Sequence, residues 1–176
     1  MYKKVGASAD MRLADLFDAH SGRLYRLARR LAATPEEARD LVQETFLRVV
    51  RAPNSVPSGP VAEEAWLVRI LVNLSRDQWR RRTSRRRLEA LHQAHSWTLA
   101  SADPESAVIA QTTVWRALQM LAPRRRAAIV LHELEGVGVA QIARLLGVSL
   151  VTVRWHLSRG RRELARAIAN YEEDHS

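Results

Sequence analysis

The clearest chemistry in the chain belongs to a set of arginines near its end. Arg154, Ser158, Arg161 and Arg162 recur at steps of one to four residues, with Trp155 and Arg159 beside them. That pattern lines them along one side of a helix. Guanidinium forks in a row bind phosphates, and bidentately the edge of a guanine. Such a row needs a stiff element to present it, and the neighbouring residues supply one. Ile142, Leu145 and Leu146 recur at helical spacing, with Ala143 kept small, and Gly147 then breaks the run. Glycine is the usual residue where a helix ends in a left-handed conformation. Val148 plugs the turn, and Ser149 can cap the next helix by accepting from an orphan amide of its first turn. Val153, Leu157, Gly160, Leu164 and Ile168 form that helix's apolar face, away from the arginines. A short helix, a glycine turn and a basic second helix read as a helix-turn-helix, in which the second helix enters the major groove of DNA. The plainer reading is a helical hairpin with a solvated arginine face.

The whole composition bears on that choice. The 176 residues include 28 basic and 19 acidic side chains, for a formal net charge of +9. An excess of this size favours a polyanionic partner, nucleic acid or an anionic surface. All the basic residues except Lys3 and Lys4 are arginine. Codon bias accounts for that ratio as well as phosphate recognition does. With no cysteine, disulfides, thiolate metal sites and thiol nucleophiles are excluded. The start, MYKKVGASAD, lacks the apolar core of a signal peptide, and the longest apolar run, Ala127 to Leu131, is far short of a membrane span. The expectation is a soluble, cytoplasmic protein.

Two further segments have a pattern that suggests binding. Thr34-Pro35-Glu36-Glu37 is a helix start, with Thr34 as cap, Pro35 in the first turn and Glu37 able to complete a capping box. In the helix it opens, Ala38, Leu41, Val42, Thr45, Phe46 and Val49 share a core-facing side, and Asp40, Gln43, Glu44, Leu47 and Arg51 line the other. That second stripe is either solvated or docked on a partner, and Leu47 in its middle suits docking. After the loop PNSVPSGP (53–60), a long helix is expected from Val61 to about Leu88, with Leu67, Ile70, Leu71 and Leu74 buried. Its opposite side carries Arg69, Arg76 and Arg80, flanked by Val72, Asn73 and Trp79. From Trp66 to Arg87 there are eight arginines and one acid, Asp77. Arginine interleaved with aromatic rings suits single-stranded nucleic acid, because cations hold phosphates and bases stack on the rings. The alternative is a solvated arginine face with Trp66 in the core and Trp79 half-buried.

The remaining segments complete an all-α chain. Residues before Asp10 look like a loose end. Met11 to Leu31 is helical, with a possible bend at His20-Ser21-Gly22. Glu89 to Ala102 loses its pattern and reads as a linker. Asp103-Pro104-Glu105 opens another helix, Ala122-Pro123 breaks it, and Pro123 starts one that Gly136 ends. The polar tail follows Ala169. The expected architecture is two small helical domains, 10–88 and 104–170, mobile relative to each other across a linker at 89–103. No catalytic constellation is present: His132-Glu133 lacks the second histidine of a zinc-protease motif, and Gly136-Val137-Gly138 follows no strand. His92 and His95 lack the companions of a metal site. Neither an enzyme nor a cofactor is expected.

Two blocks then point to one family. ARDLVQETFLRVV (38–50) with AWLVRILVNLSRDQWRRR (65–82) resembles region 2 of a bacterial extracytoplasmic-function (ECF) sigma factor of the sigma-70 family. LAPRRRAAIVLHELEGVGVAQIARLLGVSLVTVRWHLSRGRREL (121–164) resembles region 4. The resemblance spans about 10–168 and implies a transcription initiation subunit. It implies that Asp40, Gln43, Glu44 and Leu47 dock on the clamp coiled coil of core RNA polymerase. It implies that the 53–60 loop and the helix carrying Trp66, Arg69, Asn73, Arg76, Trp79 and Arg80 capture the separated non-template strand of the −10 promoter element. By position, Arg154, Trp155 and Ser158 face bases of the −35 element, and Arg159, Arg161 and Arg162 its phosphates. The linker is expected to thread the polymerase cleft, and the catalytic metal belongs to the polymerase. An anti-sigma factor, often membrane-bound, is the expected regulator. The chain departs from the family's habit at Trp155, His156, Gln141 and Gly138; the first two bear on which base sequence is read. A stand-alone helix-turn-helix repressor or activator is the alternative, with a nucleic-acid-coating protein behind it. A repressor needs a dimer surface, and neither alternative explains the region 2 block.

Overall fold

The computed structural model describes the backbone of residues 3–92 and 113–173, and the side chains of 11–85 and 114–170. Among these residues the regular structure is entirely helical. Helix α1 spans Lys3–Leu31, α2 Pro35–Arg51 and α3 Pro60–His92. Helix α4 spans Thr113–Met120, α5 Pro123–Ile129, α6 Val139–Leu146 and α7 Leu150–Glu173. None of the described helices is long and apolar enough to cross a membrane.

Helix α2 starts as its sequence requires. The Thr34 hydroxyl accepts from the Glu37 amide at 3.2 Å. Glu37 reaches back in turn, one residue further than a strict capping box, to the amide of Ala33 at 2.9 Å. All six expected core residues, Ala38, Leu41, Val42, Thr45, Phe46 and Val49, are buried. The Thr45 hydroxyl is satisfied by the Leu41 carbonyl, so its burial costs little.

Several expectations need correction. Residues 3–9 belong to α1, which also runs unbroken through His20-Ser21-Gly22. Helix α3 continues past Leu88 to His92, and α7 past Ala169 to Glu173. Its buried positions include Val68 and Val72 as well as Leu67 and Leu71, whereas Ile70 and Leu74 are only partly covered. Val72 had been grouped with the basic side. It is buried because α3 is packed on two sides, by α1 and α2 and by α5 and α6. The helix from Pro123 does not run as an α-helix to Gly136. Residues Val130–Leu134 form a π turn, and the Glu135 amide bonds back to Val130. That extra residue turns Val130 and Leu131 inward and leaves Leu134 exposed. Of the helix expected to open at Asp103, the described part is α4, Thr113–Met120; its start, the linker segment 93–102 and the residues of the proposed tail after 173 lie outside the described residues.

The two helical halves, expected to be mobile, pack together around one continuous core. Leu24, Leu27, Leu67 and Leu71 belong to it along with Leu118, Ile129, Leu131 and Ile142. Arg126, 2 % exposed, joins the halves at their polar centre. Its guanidinium donates to the carbonyls of Leu31, Gln119 and Leu121 and to the Gln119 side chain. Gln119 donates in turn to the Ala32 carbonyl at 2.7 Å. Burial pulls the Arg126 pKa down to about 10, with Arg82 adding to the shift and Glu37 opposing it. It therefore remains a cation at neutral pH.

The helix-turn-helix has the geometry its glycine and serine imply. Gly147 sits at φ +64° and its amide bonds back into α6. Ser149 accepts from the Thr152 amide at 3.1 Å. Gly160 has a different reason for being small. A Cβ there would lie 2.8 Å from Ile129 Cγ1 and 3.1 Å from Arg125 Cγ, so α7 and α5 approach along a line with no room for a side chain.

Gly160→Leu is therefore expected to lower stability by about 1–3 kcal/mol or more through overpacking, read as a fall in the urea midpoint. Gly138→Ser makes the contrast. Gly138 is the α6 N-cap and has open space around it, so serine should add a side-chain cap and raise stability by about a few tenths of a kcal/mol, read as a higher midpoint.

Candidate nucleic-acid interface

Helix α7 presents its basic side outward because Val153, Leu157 and Gly160 are buried on the other. Arg154, Trp155, Ser158, Arg159, Arg161 and Arg162 are all exposed. They are not equivalent. Among the described residues no acid pairs with Arg154. Arg159 is bonded to Glu163 at 3.0 Å, and Arg161 to Glu133 at 2.7 Å. Arg162 leans back on the Ser158 carbonyl at 3.3 Å. Each of these guanidiniums keeps donors to spare, since the group carries five.

Trp155 is half exposed and has two guanidiniums beside its ring. The Arg125 guanidinium lies 5.4 Å from its ring centroid and that of Arg159 lies 5.8 Å away. Both arginines bond to Glu163, which fixes them over the ring. His156 meets the ring edge-on at 5.0 Å. Burial, with the nearby charges of Arg125 and Arg124, pushes the His156 pKa below its ordinary value. His156 is thus neutral at physiological pH and no substitute for a phosphate-binding arginine. Sequence reasoning missed Arg125, 30 residues from Trp155, which reaches the ring only through the α5–α7 packing, and Glu163, which anchors Arg125 and Arg159. It also missed Val151, which is exposed one turn before Trp155. A helical wheel would have found that residue.

The α3 residues are placed differently from the expectation of an open basic stripe. Trp66 is partly buried and, with Arg69, lines a groove of about 1090 Å³ against the α6–α7 turn. The Arg69 guanidinium lies on that turn, and Nη2 donates to the Arg144 carbonyl at 3.3 Å. A Cβ on Gly147 would sit 2.6 Å from Arg69 Nε, so the bare glycine admits the arginine. Asn73 accepts from Arg124 at 3.2 Å. Arg76 is forked onto Asp77 at 3.1 and 3.3 Å. Trp79 lines a small cleft of about 150 Å³ with Arg82, Gln119 and Arg126. Arg80 alone of the six points freely outward. The structure thus brings Trp66, Arg69 and Asn73 together on the side of α3 that meets the C-terminal half, with Trp66 and Asn73 partly buried and Arg69 exposed.

On α2, Asp40, Gln43 and Leu47 are exposed as a strip opposite the core. Glu44 is partly covered and pairs with Arg51 at 3.2 Å and with Arg48 at 3.8 Å. Leu47 is 38 % exposed, and it is not alone. Val50 lies one turn further on and is more exposed still, and α1 adds Phe17, half exposed, whose ring packs on Phe46 at 4.9 Å. The helical period of α1 groups Phe17 with Leu13 and Leu16 as apolar positions. The position of Phe17 beside α2, which sequence does not give, makes it part of the surface instead.

Two family descriptions match the chain: sigma-70 region 2 over residues 16–85 and sigma-70 region 4 over 111–164. The ECF RNA polymerase sigma factor SigE of Mycolicibacterium smegmatis is 39 % identical over 165 residues, 91 % of this chain and 63 % of that protein. The chain thus spans somewhat less than two thirds of that relative. SigM of Mycobacterium tuberculosis is 35 % identical over 87 % of this chain and 75 % of its own length. Among solved structures, the sigma factor RpoE of Bartonella quintana, in complex with the anti-sigma factor NepR, superposes with a TM-score of 0.58 at 25 % identity, covering 91 % of this chain and 96 % of that one. A region 2 block followed by a region 4 block, on the helices described above, places this chain in the family of ECF RNA polymerase sigma factors.

Proposed function

We propose that this chain directs core RNA polymerase to promoters and opens them, with 10–88 binding polymerase and the −10 element, 89–103 as linker and 104–170 binding the −35 element. The observation that carries the reading is the outward face of α7, where Arg154, Trp155 and Ser158 stand exposed on a helix whose other face is locked to α5. Helix N-terminal residues in this motif reach base edges. Arg154, with no acid to compete for it, is suited to a guanine. Arg159, Arg161 and Arg162 flank it toward the phosphates. The chain supplies binding and positioning only, and nucleotide addition belongs to the polymerase. Its place of action is accordingly the cytoplasm.

The strip of Asp40, Gln43, Glu44 and Leu47 suits a partner that offers both apolar contact and basic groups. Phe17 and Val50 enlarge its apolar part. This is the surface for the polymerase clamp. The −10 strand is assigned to Trp66, Arg69, Asn73, Arg76, Trp79 and Arg80. Trp66, Arg69 and Asn73 lie against the C-terminal half, with Arg69 still exposed, so strand capture requires their contacts with that half to be released. Arg69 and Asn73 would then exchange the Arg144 carbonyl and Arg124 for phosphates and bases. An anti-sigma factor, of the kind named in the complex of the Bartonella relative, fits the same logic: a partner that holds the halves together keeps the α3 face covered.

The direct test is transcription in vitro by purified core polymerase on the DNA upstream of the protein's own gene. Specific initiation is expected only when the protein is added. Leu47→Asp places a charge in the centre of the α2 strip without touching the core. It should weaken capture of core polymerase by more than about tenfold, a loss of ~1.4 kcal/mol, and leave the melting temperature unchanged. Binding equal to the parent chain would remove the α2 strip from the interface. Arg76→Ala and Arg80→Ala should reduce permanganate reactivity of −10 thymines while the closed complex still forms. Loss of closed-complex binding with melting intact would reverse the assignment of the two basic regions.

A further inference from the structure

The centre of the exposed face of α7 is apolar. At 100° per residue, Val153, Leu157, Gly160 and Leu164 define the core direction, and Val151, Trp155 and Arg162 point most directly away from it. In the first two turns, those closest to base edges in this motif, the outermost residues are therefore Val151 and Trp155. Val151 is 72 % exposed and Trp155 50 %. They are four residues apart, so they form one continuous patch. Arg154 and Ser158 border it. The patch is also stiff. Arg125 and Arg159 lie over the indole, and Glu163 binds both arginines. An exposed ring held by two guanidiniums that share one carboxylate is ordered before it meets a partner, which reduces the freedom lost when it packs on an apolar surface.

Only one base edge in the major groove offers such a surface. Guanine, adenine and cytosine present donors and acceptors there, and thymine adds a C5-methyl group. We propose that Trp155, with Val151 one turn before it, recognises the methyl group of a thymine in the duplex that α7 enters, adjacent to a guanine read by Arg154. This rests on the promoter-binding reading above and specifies one position of the −35 element. Specificity at that position comes from apolar contact rather than from a hydrogen bond. The Arg125–Glu163–Arg159 cluster sets the angle of the ring and touches no base.

The test replaces, one at a time, each thymine of a selected −35 duplex with deoxyuridine. This removes the methyl group and leaves every hydrogen-bonding group of the pair. Binding is measured with the holoenzyme formed from core polymerase and the full chain. At one position deoxyuridine should weaken binding about three- to fivefold, the cost of one methyl lost from an apolar contact. Trp155→Ala should bind thymine and deoxyuridine there equally, and still discriminate guanine at the neighbouring pair. Trp155→Phe should retain part of the methyl preference and guards against misfolding of the alanine variant. Equal binding of thymine and deoxyuridine at every position by the parent holoenzyme overturns the methyl contact. So does a preference that survives in both Trp155→Ala and Val151→Ala. If the holoenzyme shows no sequence preference in any −35 duplex, the promoter-binding reading itself fails, and that outcome is distinct from selective binding insensitive to the methyl.

Discussion

The arrangement of this molecule depends on how two helix ends dispose of their carbonyls. The last carbonyls of a helix have no partner within it and need one elsewhere. Helices α1 and α4 end against each other, and Arg126 donates to Leu31 at one end and to Gln119 and Leu121 at the other. A cation is the favoured partner at helix C-termini, because the peptide dipoles leave negative charge there. Three carbonyls are thus satisfied by one buried side chain, and Gln119 covers a fourth, that of Ala32. Breaking this knot exposes a cation and several carbonyls at once, with nothing apolar to replace them. It is a polar joint within an otherwise hydrophobic contact, so it fixes the register of the two halves more sharply than leucine packing does.

Around that joint, α3 has to satisfy two neighbours. Leu67, Val68, Leu71 and Val72 all lie in the one continuous core that α3 shares with α1 and α2 and with the C-terminal helices. Arg69 and Asn73, polar groups suited to nucleic acid, are used here for contacts within the chain. Those contacts are weak singly: Arg69 is exposed and its bond to Arg144 is long. Surface ion pairs such as Arg30–Glu135 add little more. The halves are held by the core and Arg126, and the residues assigned to DNA lie at the edge of that contact, where exchange for a phosphate is cheap. A groove of about 1090 Å³ between Trp66 and the α6–α7 turn already separates the halves at that edge.

The recognition helix shows the opposite solution. It is fixed on one side by a glycine that lets α5 come within contact of its backbone. On the other side its arginines are restrained by Glu133 and Glu163, which reduces the freedom lost on binding. Among the described residues no acid restrains Arg154, and Trp155 is held by Arg125, Arg159 and His156. The face is therefore graded, from a free cation through a rigid ring to cations already ordered for phosphates.

Much of this was legible in the residues alone. The period of Ala38 to Val49 gave the buried face of α2 without error, and Gly147-Val148-Ser149 gave the turn and the cap of the helix-turn-helix. These features are local: a 3.6-residue period, a left-handed glycine and a hydroxyl at an N-cap act within a few residues of themselves. The placement of Trp155 off the core followed from the same period. What sequence could not supply was any fact that depends on elements far apart in the chain. The period of α3 could not show that a second group of helices covers its other side, so Val72 and the basic stripe looked exposed. The π turn at Val130–Leu134 carries no residue signal of its own; it arises because Val130 and Leu131 both find buried contacts there. Arg126 looked like one arginine of three in a row. Only the meeting of two helix ends made it the buried one, because one of the carbonyls it satisfies, that of Leu31, is 95 residues away in sequence and no local pattern records it.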